Sequence, residues 1–195
     1  FAPLRGQIRR PDLRNHRKIL VIDGREAYVG SHNLVAPDYD TPSYAKAGML
    51  YDDTSVSVTG PIVAQIQAVF AVDWYYACKQ VLTPEVLTPP AAEVAAEREE
   101  EQASAMQIIP SGPAFSGEPN LRAFVHMISA ARTHVSITSP YFIPDEALMT
   151  ALTNAALSGV EVELFVSEQF DQFLVGHAQR SYYGPLLKAG VRIHL

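Results

Sequence analysis

His16 and Lys18 stand two apart, Asp23 closes the apolar run that follows them, and Gly30-Ser31-His32-Asn33 comes after six further residues. Side chains two apart on a strand share a face. Extended backbone here would therefore point His16 and Lys18 the same way. Imidazole side chains titrate at about 6.5, and the neutral ring is a competent nucleophile. An ammonium beside the ring, with donors from Ser31 and Asn33, would hold the non-bridging oxygens of a phosphate. It would concentrate positive potential where charge develops in a transition state. Asp23 adds a carboxylate whose expected role is to orient a histidine or lysine. Lysine neutralises phosphate charge in such a site, so no metal and no other cofactor is expected. His-x-Lys alone is also what a surface polar pair looks like; the complete string is what singles it out.

These groups need a scaffold. Lys18 to Ile22 and Glu26 to Gly30 are short runs rich in branched residues, and Asp23-Gly24-Arg25 between them carries an Asp-Gly turn signal. This spacing predicts a β-hairpin. A two-residue loop, at Gly24-Arg25 or at Asp23-Gly24, would set His16, Lys18, Ser31 and Asn33 on one face of one hairpin end and turn His32 to the other. A three-residue loop would break that arrangement, because a slip of one residue exchanges faces. Thr54 to Thr59 alternates and predicts another strand. Gly60-Pro61 then opens a helix to about Gln80, with Ile62, Ile66, Val69, Phe70, Asp73 and Trp74 at helical spacing.

Residues 83–105 change character, with Pro84, Pro89 and Pro90 followed by an Ala/Glu run, and read as an acidic linker. Beyond it the pattern predicts a strand at Met106–Pro110, a helix from about Glu118 to Arg132 and a strand over Val135–Ser139. A helix from Asp145 to Leu157 stops at Gly159, and a strand covers Glu161–Val166. A helix from about Gly176 to Lys188 stops at Gly190, and the last strand is Val191–Leu195. Alternating strands and helices of this length imply an α/β fold, its sheet covered on both faces.

The 195 residues are 48% hydrophobic and 18% charged, which implies a packed core and not disorder. The net charge of -6 weighs against a nucleic-acid partner. Even so, Arg5, Arg9, Arg10, Arg14, Arg17, Lys18 and Arg25 crowd the first stretch. That surface either meets phosphate groups or is simply a solvated basic face. The single cysteine, Cys78, excludes an internal disulfide and reads as a small core residue. No apolar run reaches the roughly 18–20 residues that span a bilayer. The chain opens at Phe1 without Met and stops at Leu195 inside an expected strand, so an internal piece of a longer protein is expected.

The string from His16 to Asn33 matches the HKD motif of the phospholipase D superfamily, and the likeness runs further. Leu13-Arg14-Asn15-His16-Arg17-Lys18, Val58-Thr59-Gly60-Pro61 and Val69-Phe70-Ala71-Val72-Asp73-Trp74-Tyr75 resemble the first half of bacterial cardiolipin synthases. Ile109-Pro110-Ser111-Gly112-Pro113, Thr138-Ser139-Pro140-Tyr141-Phe142-Ile143-Pro144-Asp145-Glu146-Ala147-Leu148, Arg180-Ser181-Tyr182-Tyr183 and Leu187-Lys188-Ala189-Gly190-Val191-Arg192-Ile193 resemble the second. The resemblance implies a phospholipase D-like fold, a mixed β-sheet flanked by helices, in parts of two pseudo-repeats. Residues 1–82 would be the back of the first, with its motif. Residues 106–195 would be the front of the second, its own His-x-Lys expected beyond Leu195. One departure is Met49-Leu50-Tyr51-Asp52-Asp53, where many relatives carry Trp-x-Asp.

The resemblance implies a phosphatidyltransferase that joins two phosphatidylglycerol molecules into cardiolipin and releases glycerol through a phosphatidyl-histidine. His16, Lys18 and Asp23 would be catalytic, and Ser31 and Asn33 would bind phosphate. The implied partners are phosphatidylglycerol and other anionic phospholipids at a membrane surface. The parent protein would sit at the cell membrane, its catalytic part peripheral or facing the cytoplasm. Two other readings stay open: a phospholipase D-type hydrolase, and a phosphate-binding remnant that does not turn over by itself. His126, His134, His177 and His194 lack metal-ligand spacing and read as structural or surface residues. Ser139, Tyr141, Arg180 and Tyr182 could line a lipid cleft, and Trp74 with Tyr75 and Tyr76 reads as helical core packing rather than an interfacial patch.

Overall fold

A computed structural model describes residues 15–35, 52–83, 104–112, 114–168 and 173–195. The chain divides into two compact units, Phe1–Ile108 and Ile109–Leu195.

In the first unit, β1 (Lys18–Ile22), β2 (Glu26–Gly30) and β3 (Ser55–Thr59) form an antiparallel sheet in that order. Asp23 and Gly24 both take left-handed backbone, with φ of 52° and 66°, and the Arg25 amide donates to the Ile22 carbonyl at 3.0 Å. Asp and Gly tolerate this conformation better than branched residues do. Arg25 is then left over as an extra residue, so Ile22 pairs with Glu26 and Lys18 with Gly30. The loop thus has three residues, and the expected two-residue register does not form. Gly60, at φ 82°, turns the chain into α1 (Ile62–Cys78), whose Val63 amide donates to the Gly60 carbonyl at 3.0 Å. Ile62, Val63 and Ile66 of α1 bury themselves against Ala27 and Val58, with Ile19, Val21 and Val29 alongside. These sheet residues alternate, so the helix covers one face only.

In the second unit, β4 (His134–Ser139), β5 (Glu161–Val166) and β6 (Arg192–His194) pair in parallel. The helices are α2 (Pro119–Ala130), α3 (Glu146–Leu157), α4 (Phe173–Ser181) and α5 (Tyr183–Ala189). Asp145 caps α3 by accepting from the Leu148 amide at 2.8 Å. Gly159, at φ 91°, ends it, with Val160 N–H reaching the Ala155 carbonyl at 3.0 Å. Val162, Leu164 and Val166 pack with Ile128, Leu152 and Leu186 into one core. Buried Gln179 ties the post-β4 loop down. Its Oε1 accepts from the Phe142 amide and its Nε2 donates to the Tyr183 hydroxyl, both at 2.7 Å.

The α/β class stands, with sheets flanked by helices, and three details differ from the sequence pattern. The helix expected near 176–188 is two helices broken at Tyr182. Pro185 explains the break, since its ring would clash with the Ser181 carbonyl in a continuous helix. Met106–Pro110 forms no strand, and Ile108 packs on the first unit's core. Among the described residues the second sheet, like the first, buries one face, since the core uses only alternate residues of β5. Most of the acidic linker and the basic residues Arg5, Arg9, Arg10 and Arg14 lie outside the described residues.

Candidate active site on the first strand

The site grows from the entry to β1. Arg17 turns toward α1, where its Nη1 meets Asp73 Oδ1 at 2.5 Å, and its amide donates to Asn15 Oδ1 at 2.9 Å. Asp73 is mostly buried, so this pair anchors the strand's start to the helix. Alternation then turns the residues on either side of Arg17 away from α1. His16 is exposed and Lys18 half-buried, and Lys18 Nζ donates to the His16 carbonyl at 2.8 Å. Among the described residues neither His16 nor Lys18 is ion-paired. The Lys18 ammonium thus lies against the His16 backbone at an accessible strand end, and an imidazole and an ammonium are the groups needed to attack and neutralise a phosphate.

Gly30 lies directly across from Lys18 and brings no side chain of its own. A Cβ there would lie 2.5 Å from Ser55 Cα and Ser55 Oγ, and closer still to the Thr54 carbonyl oxygen. The glycine of the Gly30-Ser31-x-Asn33 tail is thus required by close backbone approach of β3.

The register moves Ser31 away from the pair it was expected to join. Counting outward places His32, not Asn33, across from His16. Ser31 instead fastens the motif to β3: its Oγ donates to Asp53 Oδ1 at 2.7 Å and accepts from the Thr54 amide at 3.0 Å. Asn33 is half-buried just beyond the strand. Asp23 sits in the turn, at the other end of β1. Five residue steps of strand separate it from Lys18, roughly 16 Å at the usual rise. Its carboxylate cannot orient His16 or Lys18 within this hairpin, and its place in the left-handed turn accounts for it instead.

Sequence pattern alone missed Asp53, the Arg17–Asp73 pair and the residue across from His16. The signal for the last was the Asp-Gly turn, whose extra Arg25 sets the register. On the other side of β1, Asn15, Arg17 and Ile19 face Phe70, Asp73, Trp74 and Ala77 across a cavity of about 220 Å³. Trp74, Tyr75 and Tyr76 are 37%, 46% and 51% exposed, so core packing does not account for them, and Cys78 is exposed as well.

The second unit's polar residues are largely spent on one another. His134 lies 3.5 Å from Glu161 and 3.6 Å from Glu163, and His194 Nε2 lies 3.1 Å from Glu163. Arg192 pairs with both glutamates. Its hydrogen bonds hold both carboxyls below the usual range, with the histidines adding to the effect. The Ser139 hydroxyl donates to the Tyr141 carbonyl at 3.0 Å. Among the described residues no group of His, Cys, Asp and Glu is arranged to hold a metal.

Residues 124–195 match the family model described as cardiolipin synthase, PLD-like domain. A cardiolipin synthase of Geobacillus thermodenitrificans is 38% identical over 184 residues, 94% of this chain and 35% of the relative. A cardiolipin synthase A of Serratia proteamaculans is 37% identical over 188 residues, 96% of this chain and 37% of the relative. One of Pseudomonas syringae is 40% identical over 184 residues, 93% and 36% respectively. The chain thus spans about a third of the length of these relatives. Among solved structures, a polyphosphate kinase from Porphyromonas gingivalis aligns over 42% of this chain and 12% of its own, at 19% identity and a TM-score of 0.31, an overlap too slight to bear on fold or function. Residues 124–195 are thus similar to the PLD-like domain of cardiolipin synthases, and almost the whole chain is similar to about a third of such a protein.

Proposed function

We propose that this chain is part of a phosphatidyltransferase that makes cardiolipin from two phosphatidylglycerol molecules at a membrane surface. The observation that carries the reading is the accessible, unpaired His16 beside Lys18, in a chain 37–40% identical to cardiolipin synthases. One motif imidazole attacks the phosphorus of phosphatidylglycerol, forming a P–N bond as the P–O bond to glycerol breaks. A second motif histidine, outside this chain, protonates the departing glycerol oxygen. It then takes the proton from the hydroxyl of a second phosphatidylglycerol, whose oxygen displaces the imidazole. One phosphodiester is exchanged for another, so no nucleotide is consumed. Lys18 neutralises the non-bridging oxygens, and His16 fills one of the two histidine roles. Asn33, next to the strand end, remains the candidate donor from the motif's tail. The parent acts at the cell membrane, although no helix among the described residues is long and apolar enough to cross a bilayer.

Product analysis of the full-length parent on phosphatidylglycerol vesicles tests this. Cardiolipin and glycerol in equal amounts are expected. Phosphatidic acid without cardiolipin would replace transfer by hydrolysis, and steady turnover by this chain alone would remove the need for a second motif.

A further inference from the structure

The last turns of α1 present a patch that the chemistry at His16 does not use. The first half of the helix packs on the sheet, whereas Trp74, Tyr75 and Tyr76 emerge around its C-terminal end, between 37% and 51% exposed. Trp74 leans on Phe70 with ring centroids 6.0 Å apart, and Tyr75 meets Tyr76 edge-on at 6.2 Å. Lys79 ends the helix in left-handed backbone and holds its ammonium 5.3 and 5.1 Å from the two tyrosine rings. Asp73, the one acid in α1, is already matched by Arg17, so the free charge of the patch is the positive Lys79. Among the described residues the indole N–H and the two phenol hydroxyls have no hydrogen-bond partner. Trp74 also walls the cavity that Asn15 and Arg17 close from the strand side.

Amphipathic aromatic rings with unspent polar tips, rimmed by a lysine, suit the headgroup layer of a bilayer: ring bodies displace water and polar tips meet headgroups. A single positive charge without a competing acid favours anionic lipid. We propose that the C-terminal end of α1 is an interfacial anchor, seating Trp74, Tyr75 and Tyr76 in an anionic bilayer and holding the start of β1 at the level of the lipid phosphates. This deepens the proposed function and rests on it only for the identity of the lipid.

Trp74 is the only tryptophan in the chain, so its fluorescence reports on this patch alone. The full chain is titrated with phosphatidylcholine vesicles, with and without phosphatidylglycerol. With phosphatidylglycerol, the emission should shift to the blue and be quenched most by lipids brominated near the headgroup. Tyr75→Ser combined with Tyr76→Ser keeps the reporter and should weaken vesicle binding roughly tenfold. Lys79→Gln should reduce the preference for phosphatidylglycerol. Chain that sediments with vesicles while its emission stays unchanged would overturn the proposal by placing the contact elsewhere. So would absence of binding to either vesicle, or a blue shift that follows protein concentration without lipid. The wild-type quenching measurement stands even if a variant fails to fold. None of these readouts needs turnover, so failure of the transferase reading and failure of the anchor are separate results.

Discussion

The two sheets treat their uncovered faces differently. On the second, Glu161, Glu163, Arg192, His134 and His194 lie in register and satisfy one another, so the face is a closed electrostatic network. On the first, Leu20, Ile22 and Tyr28 stay exposed, and His16 and Lys18 stand at the entry to β1 without an ion-pair partner among the described residues. Charges paired in place are structure, whereas charges left open at a strand end are available to a substrate. The same residue type, histidine, therefore carries different expectations in the two units.

The widest expected gap is between two histidines. In the full-length parent, His16→Ala should abolish cardiolipin formation, and Lys18→Ala should cost about 2–4 kcal/mol of transition-state stabilisation. His194→Ala should leave the rate near wild type. Equal losses at His16 and His194 would erase the distinction drawn between the sheets.

Next come two leucines. Leu186 is fully buried and Leu20 lies on the open face. Leu186→Ala should lower stability by about 2–5 kcal/mol in urea unfolding, and Leu20→Ala by no more than about 0.5 kcal/mol. A large loss at Leu20 would mean that its face is covered. Gly30→Ala should cost about 1–3 kcal/mol through overpacking against Thr54 and Ser55. Unchanged unfolding there would refute the close-approach explanation.

Asp23→Asn separates turn from catalysis. Asn tolerates left-handed backbone, so the variant should fold and retain its transfer rate within about twofold. A collapse of activity in a folded variant would restore the carboxylate to the chemistry.

The smallest effect compares carboxyls by NMR titration. Glu26 is held below its ordinary value first by the Tyr28 hydroxyl and then by Ser57, whereas Glu161 and Glu163 are held down first by Arg192. A depressed carboxyl stabilises the fold above its unfolded pKa of about 4.3, and that contribution is lost as pH falls through the lower folded value. Acid sensitivity below about pH 4 is thus expected of both sheets. Added salt should raise the Glu161 and Glu163 midpoints but leave Glu26 nearly unmoved, because screening weakens ion pairs more than neutral hydrogen bonds. Equal salt responses would dissolve the contrast.

Much of the fold was legible because it depends on local signals. The Asp-Gly turn, the alternation in β3, the Asp145 cap and the stops at Gly159 and Gly190 each act within a few residues. The break at Tyr182 was not read, although Pro185, which does not fit a continuous helix, was there to signal it. Less visible were the one residue of register added by Arg25 and the exposure of the last turns of α1. The aromatic residues at its end follow helical spacing whether or not a partner lies beneath them.

Residue types and their order were enough to identify a histidine–lysine pair and an α/β class, because each is a matter of local chemistry and periodicity; the resemblance to cardiolipin synthases rests on motif strings along the chain. Folding alone settled that Asp23 lies far from that pair, that Ser31 serves Asp53 and Thr54, and that Trp74, Tyr75 and Tyr76 stay partly exposed. Those facts depend on which strand lies beside which and which helix residues the sheet covers, and one added loop residue is enough to reverse a face.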